Sequence, residues 1–248
     1  MSKFPPSTGL ITCMLTVWLL TGCLTSRIDS PVPSTPTPSG TAAHTPIPPT
    51  PTVTQTPTLT PIPSPTSTPE PAGCQKPPED YTRLEVNNQT INRRTLAMLT
   101  HAQKLYGGEL ELTGDAITQG SYTDSVSASF GTHAGGGAVD LSVMREGTYT
   151  VLWEDIDPLL RALRLAGFAA WLREYGELHA DSPIHIHAIA IGDQELSAGA
   201  QEQLTGEAGY LRGYSGLPVA MYGAPTADRY GGPILCQWMI DLGYRDLR

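Results

Sequence analysis

The chain has 248 residues, of which 40% are apolar, 16% charged and 7% aromatic, and it carries a net charge of −9 at pH 7. The shortage of core material is local: residues 31–72 hold 14 of the 23 prolines, with 12 threonines, four serines and one charge, Glu70. That stretch cannot form a core, which leaves about 175 residues, 73–248, for one compact domain. From Cys74 onward there are 13 Lys/Arg against 22 Asp/Glu. This excludes the clustered positive charge of a nucleic-acid groove, and the only adjacent basic pair, Arg93-Arg94, reads as a solvated helix face.

Taken in chain order, residues 1–22 read as an export signal, with one lysine and then an apolar run over residues 9–20 that is too short to span a bilayer. Leu20-Thr21-Gly22-Cys23 resembles the bacterial lipobox, in which the signal is cut before the cysteine and the thiol takes a diacylglycerol. Cys23 is then the lipidated N-terminus, residues 23–30 follow it, and the chain is exported and lipid-anchored to the outer face of the cell membrane. Residues 31–72 form a Pro/Thr/Ser tether that extends on the order of 100 Å, enough to place the domain in the cell wall or periplasmic space. Cys13 lies in the discarded signal, so Cys74 and Cys236 remain as an even pair in an oxidising compartment. A disulfide between them is the expectation, and two free buried thiols are the alternative.

Within residues 73–248, residues 92–106 have the spacing of a helix stopped by Gly107-Gly108. Residues 109–117 alternate like a strand broken by a Gly-Asp turn, and residues 138–143 alternate again. Asp157-Pro158 opens a second helix ending at Gly167, with Pro in its first turn. Residues 168–172 and 184–191 read as strands, a helix follows Ser197, and residues 233–242 form the last helix. Without a regular βαβ rhythm, this order predicts α+β with a small, mostly antiparallel sheet and flanking helices. Trp153, Trp171 and Trp238 are expected in the core, with carbohydrate stacking as the minor reading. The tyrosines over residues 210–230 read as a covering loop or a cleft wall. No nucleophile elbow or phosphate loop is present.

Two segments carry chemistry. In Phe130-Gly131-Thr132-His133-Ala134-Gly135-Gly136-Gly137-Ala138-Val139-Asp140 a histidine precedes an aspartate by seven residues across a glycine-rich turn. In Ile184-His185-Ile186-His187-Ala188-Ile189 two histidines on a strand face the same way, about 7 Å apart. Zinc takes imidazole nitrogen and carboxylate oxygen, and catalytic sites use three protein ligands and leave a position open. A metal held this way polarises a carbonyl and lowers the pKa of water toward about 7. A structural His133–Asp140 hydrogen bond without metal is the plainest alternative.

His133-x-x-Gly136-x-Ala138-x-Asp140 followed by His185-x-His187 resembles the signature of the zinc D-Ala-D-Ala carboxypeptidases and Hedgehog-like metallopeptidases, which share their site design with lysostaphin-type enzymes. The resemblance covers residues 110–193. It implies a Hedgehog/DD-peptidase-like fold, zinc held by His133, Asp140 and His187, and His185 as general base or transition-state stabiliser. It further implies hydrolysis of peptidoglycan stem peptides or cross-links, as a carboxypeptidase or an endopeptidase.

The chain departs from that pattern at three places. Many members have a serine where this chain has Gly131, and several have a glutamate where it has Ile184. That leaves Glu174, Glu177, His179 and Asp181 as further candidates for the base. Relatives often carry a substrate-gripping arginine near residues 118–122, where Gln119 can offer only a hydrogen bond. These departures motivate the alternative, a non-catalytic metal-binding module that binds the cell wall or signals.

Overall fold

The computed structural model describes residues 69–248. The signal, Cys23 and most of the Pro/Thr/Ser tether lie outside the described residues. Strands β1 (Arg83–Val86) and β2 (Gln89–Asn92) form a hairpin. Its turn residues Asn87 and Asn88 have φ of 49° and 59°, which suits the two-residue hairpin turns that asparagine tolerates. Asn92 then caps helix α1 (Arg93–Tyr106): its side chain accepts from the Thr95 amide, and Gly107 ends the helix in the left-handed conformation.

The main sheet is antiparallel throughout, in the order β3 (Ile117–Gln119), β4 (Ala138–Ser142), β6 (His185–Ala190) and β5 (Phe168–Arg173). Helix α2 (Trp153–Leu165) precedes β5, α3 (Ala198–Thr205) follows β6, and the short helices α4 (Val219–Tyr222) and α5 (Gln237–Asp241) complete the chain. The fold is therefore α+β with small antiparallel sheets and flanking helices, as the sequence predicts at that level. Among the described residues no helix is long and apolar enough to cross a membrane.

Strand alternation divides the core in two. Val139, Leu141, Phe168, Ala170, Ile186 and Ala188 face α1 and α2, where Leu99, Leu159 and Leu163 are also fully buried. Each of the Val, Leu, Ile and Phe side chains among them contributes about 1.5–3 kcal/mol by leaving water, and the alanines less. The opposite face carries Ala138, Ala169, Trp171 and Ile189 under α3 and the C-terminal segment. Cys74 and Cys236 are bonded, with Cα atoms 5.6 Å apart and 162 residues between them in sequence. In the chain-entropy account a loop of that length gives a stabilisation with a ceiling of about 5 kcal/mol.

Several expectations need correction. Residues 109–116 are not a strand: the Gly114 and Ala116 amides bond to the Glu111 carbonyl, and the Leu112 amide bonds to the Gln103 side chain. Local turns thus satisfy backbone that a strand would have paired. Helix α2 starts at Trp153, with Glu154 and Asp155 at its positive end, so Pro158 falls in the second turn and not the first. Trp153 is 59% exposed because it stands at the first position of that helix, beyond the packed stripe; Trp171 and Trp238 are buried as expected. The last helix begins only at Gln237, since Cys236 is held extended where the disulfide ties it to Cys74. Arg93 is exposed, but Arg94 is buried, with Nη2 donating to the Ile191 carbonyl.

Candidate metal centre

Register brings the candidate ligands together. Asp140 on β4 pairs with His187 on β6, and Gln119 on β3 and Trp171 on β5 stand in the same row. His185 lies two residues earlier on the same face, between Ser142 and Arg173. His133 arrives from outside the sheet, on a single 3-10 turn (Thr132–Ala134) whose entry, Gly131, has φ of 74°.

That turn is clamped by close packing. A Cβ on Gly135 would lie 2.2 Å from the Glu195 carbonyl oxygen and 2.4 Å from the Ser197 amide, so only glycine admits this approach. The Ser197 hydroxyl, which also caps α3, donates to the Thr132 carbonyl. Tyr122 donates to Glu195 and receives from Asn92, which donates to Asp193 as well. Gly120, where a Cβ would meet the Thr90 carbonyl oxygen at 2.5 Å, brings its own carbonyl within 2.6 Å of His133 Nδ1.

The resulting centre is compact. Asp140 Oδ1 lies 2.7 Å from His187 Nδ1 and 3.3 Å from His133 Nε2, and the ligand atoms of these three residues fall within 4.8 Å of one another. His185 Nε2 is 3.7 Å from Asp140 Oδ2. His133 donates Nδ1–H to the Gly120 carbonyl, which turns Nε2 inward, buried and without a hydrogen-bond partner. A buried imidazole nitrogen left unpaired, facing a second imidazole and a carboxylate, fits a cation with nitrogen and oxygen preferences. The carbonyl hydrogen bond on the far side of the His133 ring is the usual support for a ligating histidine. His187 Nε2 and Gln203 Oε1 are also buried without partners and line the same cavity of about 20 Å³, room for one bridging water.

Electrostatics agree with this geometry. Burial raises the Asp140 pKa, yet the neighbouring His133 and His187 outweigh it and hold the carboxyl well below its usual range. For His133 burial acts downward, but the Asp140 charge and the Gly120 carbonyl prevail and the pKa is raised. Burial pushes His187 down to about 4. A metal entering this site must displace the proton favoured on His133. Zinc affinity is therefore expected to fall about tenfold per pH unit once the pH drops through the raised His133 pKa. Competition against a chelating dye between pH 6 and 8 reads this directly, and a flat profile would show that His133 is not a ligand.

Of the residues considered as base, His185 alone lines the metal cavity. Its Nδ1 lies 2.8 Å from the Pro183 carbonyl, which leaves Nε2 free. Glu174 pairs with Arg229, and Glu177 accepts from the Glu174 amide. Both acids line a neighbouring cavity of about 330 Å³, while His179 and Asp181 are exposed. Gln119 stands beside Asp140 in register but does not line the metal cavity; its amide donates to Ser129, which does. Arg173 and Gln203 line that cavity and were missed in the sequence. The available signal for Arg173 was a charge ending the apolar run FAAWLR on the same face as Trp171. Nothing marked Gln203. No protein-family model matches the chain, and no curated protein or solved structure matches it.

Proposed function

We propose that this chain is a zinc peptidase of the Hedgehog/DD-peptidase-like kind, lipid-anchored through Cys23 and acting on peptidoglycan stem peptides or cross-links. The observation that carries the reading is the buried His133–Asp140–His187 triad with an unpaired imidazole nitrogen, next to a further histidine whose Nε2 is free. His133, Asp140 and His187 would hold the ion. Zinc supplies Lewis acidity toward a carbonyl and toward water when bound. His185, with Nδ1–H fixed on the Pro183 carbonyl, takes a proton at Nε2 and returns it to the leaving amine. Trp171 stacks on the His187 ring at 12° and braces it from the β5 side.

The test is metal content by elemental analysis, with muropeptide digestion followed by mass spectrometry before and after a chelator. About one zinc per chain and chelator-sensitive loss of D-Ala or of a cross-link is the expected result. A non-catalytic wall-binding or signalling module is the second reading. It is favoured by the cavity itself, whose only carboxylate among the described residues is the ligand Asp140. It predicts zinc and wall binding with no product.

A further inference from the structure

Three arginines of the domain are almost fully buried, and two have partners. Arg164 bonds to the Ala170, Tyr230 and Gly232 carbonyls and pairs with Asp228 at 2.6 Å; Arg94 bonds to the Ile191 carbonyl. Arg173 differs. It is 2% exposed, its Nη2 is buried without a partner, and no side-chain hydrogen bond or ion pair among the described residues includes it, whereas Arg94, also outside any ion pair and with Nε unpartnered, keeps the Ile191 carbonyl. A buried guanidinium without a carboxylate is costly, because desolvation is not repaid, and such groups are rarely retained unless something pairs with them.

The position of Arg173 says what that something is. It lies opposite His185 in the β5–β6 register, and its guanidinium sits 5.3 Å from the centre of the Trp171 ring, which itself stacks on His187. It lines both the metal cavity and the larger cavity of about 330 Å³ beside it, which Glu174, Glu177 and Asp228 also line; Arg229 holds Glu174 and Arg164 holds Asp228, so among the described residues Glu177 is the one of these acids outside an ion pair. Burial lowers its pKa, partly offset by the charges of Glu177 and Asp140, so the fold itself leaves this cation under-compensated.

We propose that Arg173 receives the free carboxylate of a peptide C-terminus, entering from the β5 side of the metal centre. This rests on the peptidase reading and narrows it to a carboxypeptidase. Hydrolysis then consumes one water: the last C–N bond breaks, the hydroxyl goes to the carbonyl carbon, a proton goes to the leaving amine, and one amino acid is released. The guanidinium fork suits a carboxylate bidentately, a geometry that lysine lacks. It also places the anion across the sheet from Gln119.

The experiment titrates the full-length protein, freed of metal so that nothing is cleaved, with N-acetyl-D-Ala-D-Ala and with its C-terminal amide. The acid is expected to bind about 10- to 100-fold more tightly than the amide, the range of a charge-assisted hydrogen bond. Arg173→Gln should bring the acid down to the level of the amide and leave the amide unchanged, while Arg173→Lys should fall between. The thermal midpoint of Arg173→Gln without ligand should equal or exceed that of the parent, since an unpaired buried charge is removed. Equal binding of acid and amide, binding of neither at millimolar concentration, a preference that survives in Arg173→Gln, or a lowered midpoint would each overturn the assignment. The two readings fail separately. A zinc-loaded protein that cuts acid and amide alike keeps the peptidase and loses the receptor, whereas acid-selective binding without release of an amino acid does the reverse.

Discussion

Replacing Asp140 by asparagine is expected to strip the protein of zinc and reduce peptidoglycan cleavage to background while the fold stays in place. The carboxylate is the one negative charge among three imidazoles, with Oδ1 2.7 Å from His187 and 3.3 Å from His133, and Oδ2 3.7 Å from His185. A neutral amide of the same shape keeps the packing of β4 but removes both the charge and a ligand oxygen. Loss of a partner one layer out from a metal already costs about 10- to 100-fold in affinity, so loss of the ligand itself should cost upward of about 100-fold. The substitution also removes the charge that holds the His133 pKa up, so burial, which acts downward on both His133 and His187, is opposed less and the pair is easier to keep uncharged in the core. Elemental analysis and near-ultraviolet circular dichroism on the same sample separate the outcomes. Metal lost with an unchanged spectrum is the expected result. Metal retained at one per chain would remove Asp140 from the ligand set, and spectrum and metal lost together would make it a structural residue.

How much of this was legible in the sequence follows from the range of the forces involved. His185 and His187 were placed on one face by strand alternation alone, a local rule that the FAAWLR–HIHAIA pairing leaves intact. The α1 boundaries were legible for the same reason: Asn92 and Gly107 act on backbone within a few residues of themselves. Residues 109–116 failed because their amides find partners in Glu111 and Gln103, and alternation cannot reveal a side chain that competes for backbone. Trp153 failed because periodicity gives the face of a helix and not where its neighbour ends. The β1–β2 hairpin carries Asn-Asn in place of the stronger Asn-Gly signal, so it passed unnoticed. The clamp on His133 joins residues 92, 120, 122, 193, 195 and 197, contacts that exist only once β2, β3, β6 and α3 have assembled. Arg173 belongs to the same class, since only the packed structure shows that it lacks a partner.

The second large effect is expected at His185. His185→Gln should keep zinc at about one per chain and lower the turnover of cell-wall peptides by about 100- to 10,000-fold, the usual contribution of a positioned acid or base. The separation between metal and rate follows from the geometry: the mutually close ligand atoms are those of His133, Asp140 and His187, and His185 is outside that set. Its ring is held by Nδ1 on the Pro183 carbonyl, so Nε2 points to the Asp140 side of the cavity as an acceptor. Glutamine fills similar space and can keep a hydrogen bond to Pro183, but its amide has no basic nitrogen. A structural role for the ring would survive that exchange, whereas a proton-transfer role would not. Should the rate stay within about threefold of the parent, the base would have to come from the neighbouring cavity, where among the described residues Glu177 and Glu174 are the only carboxylates other than Asp228, which Arg164 already holds. Glu174 is tied to Arg229 at the surface, so Glu177 would be the next residue to replace, and its failure too would leave the centre as a binding site without a proton acceptor of its own.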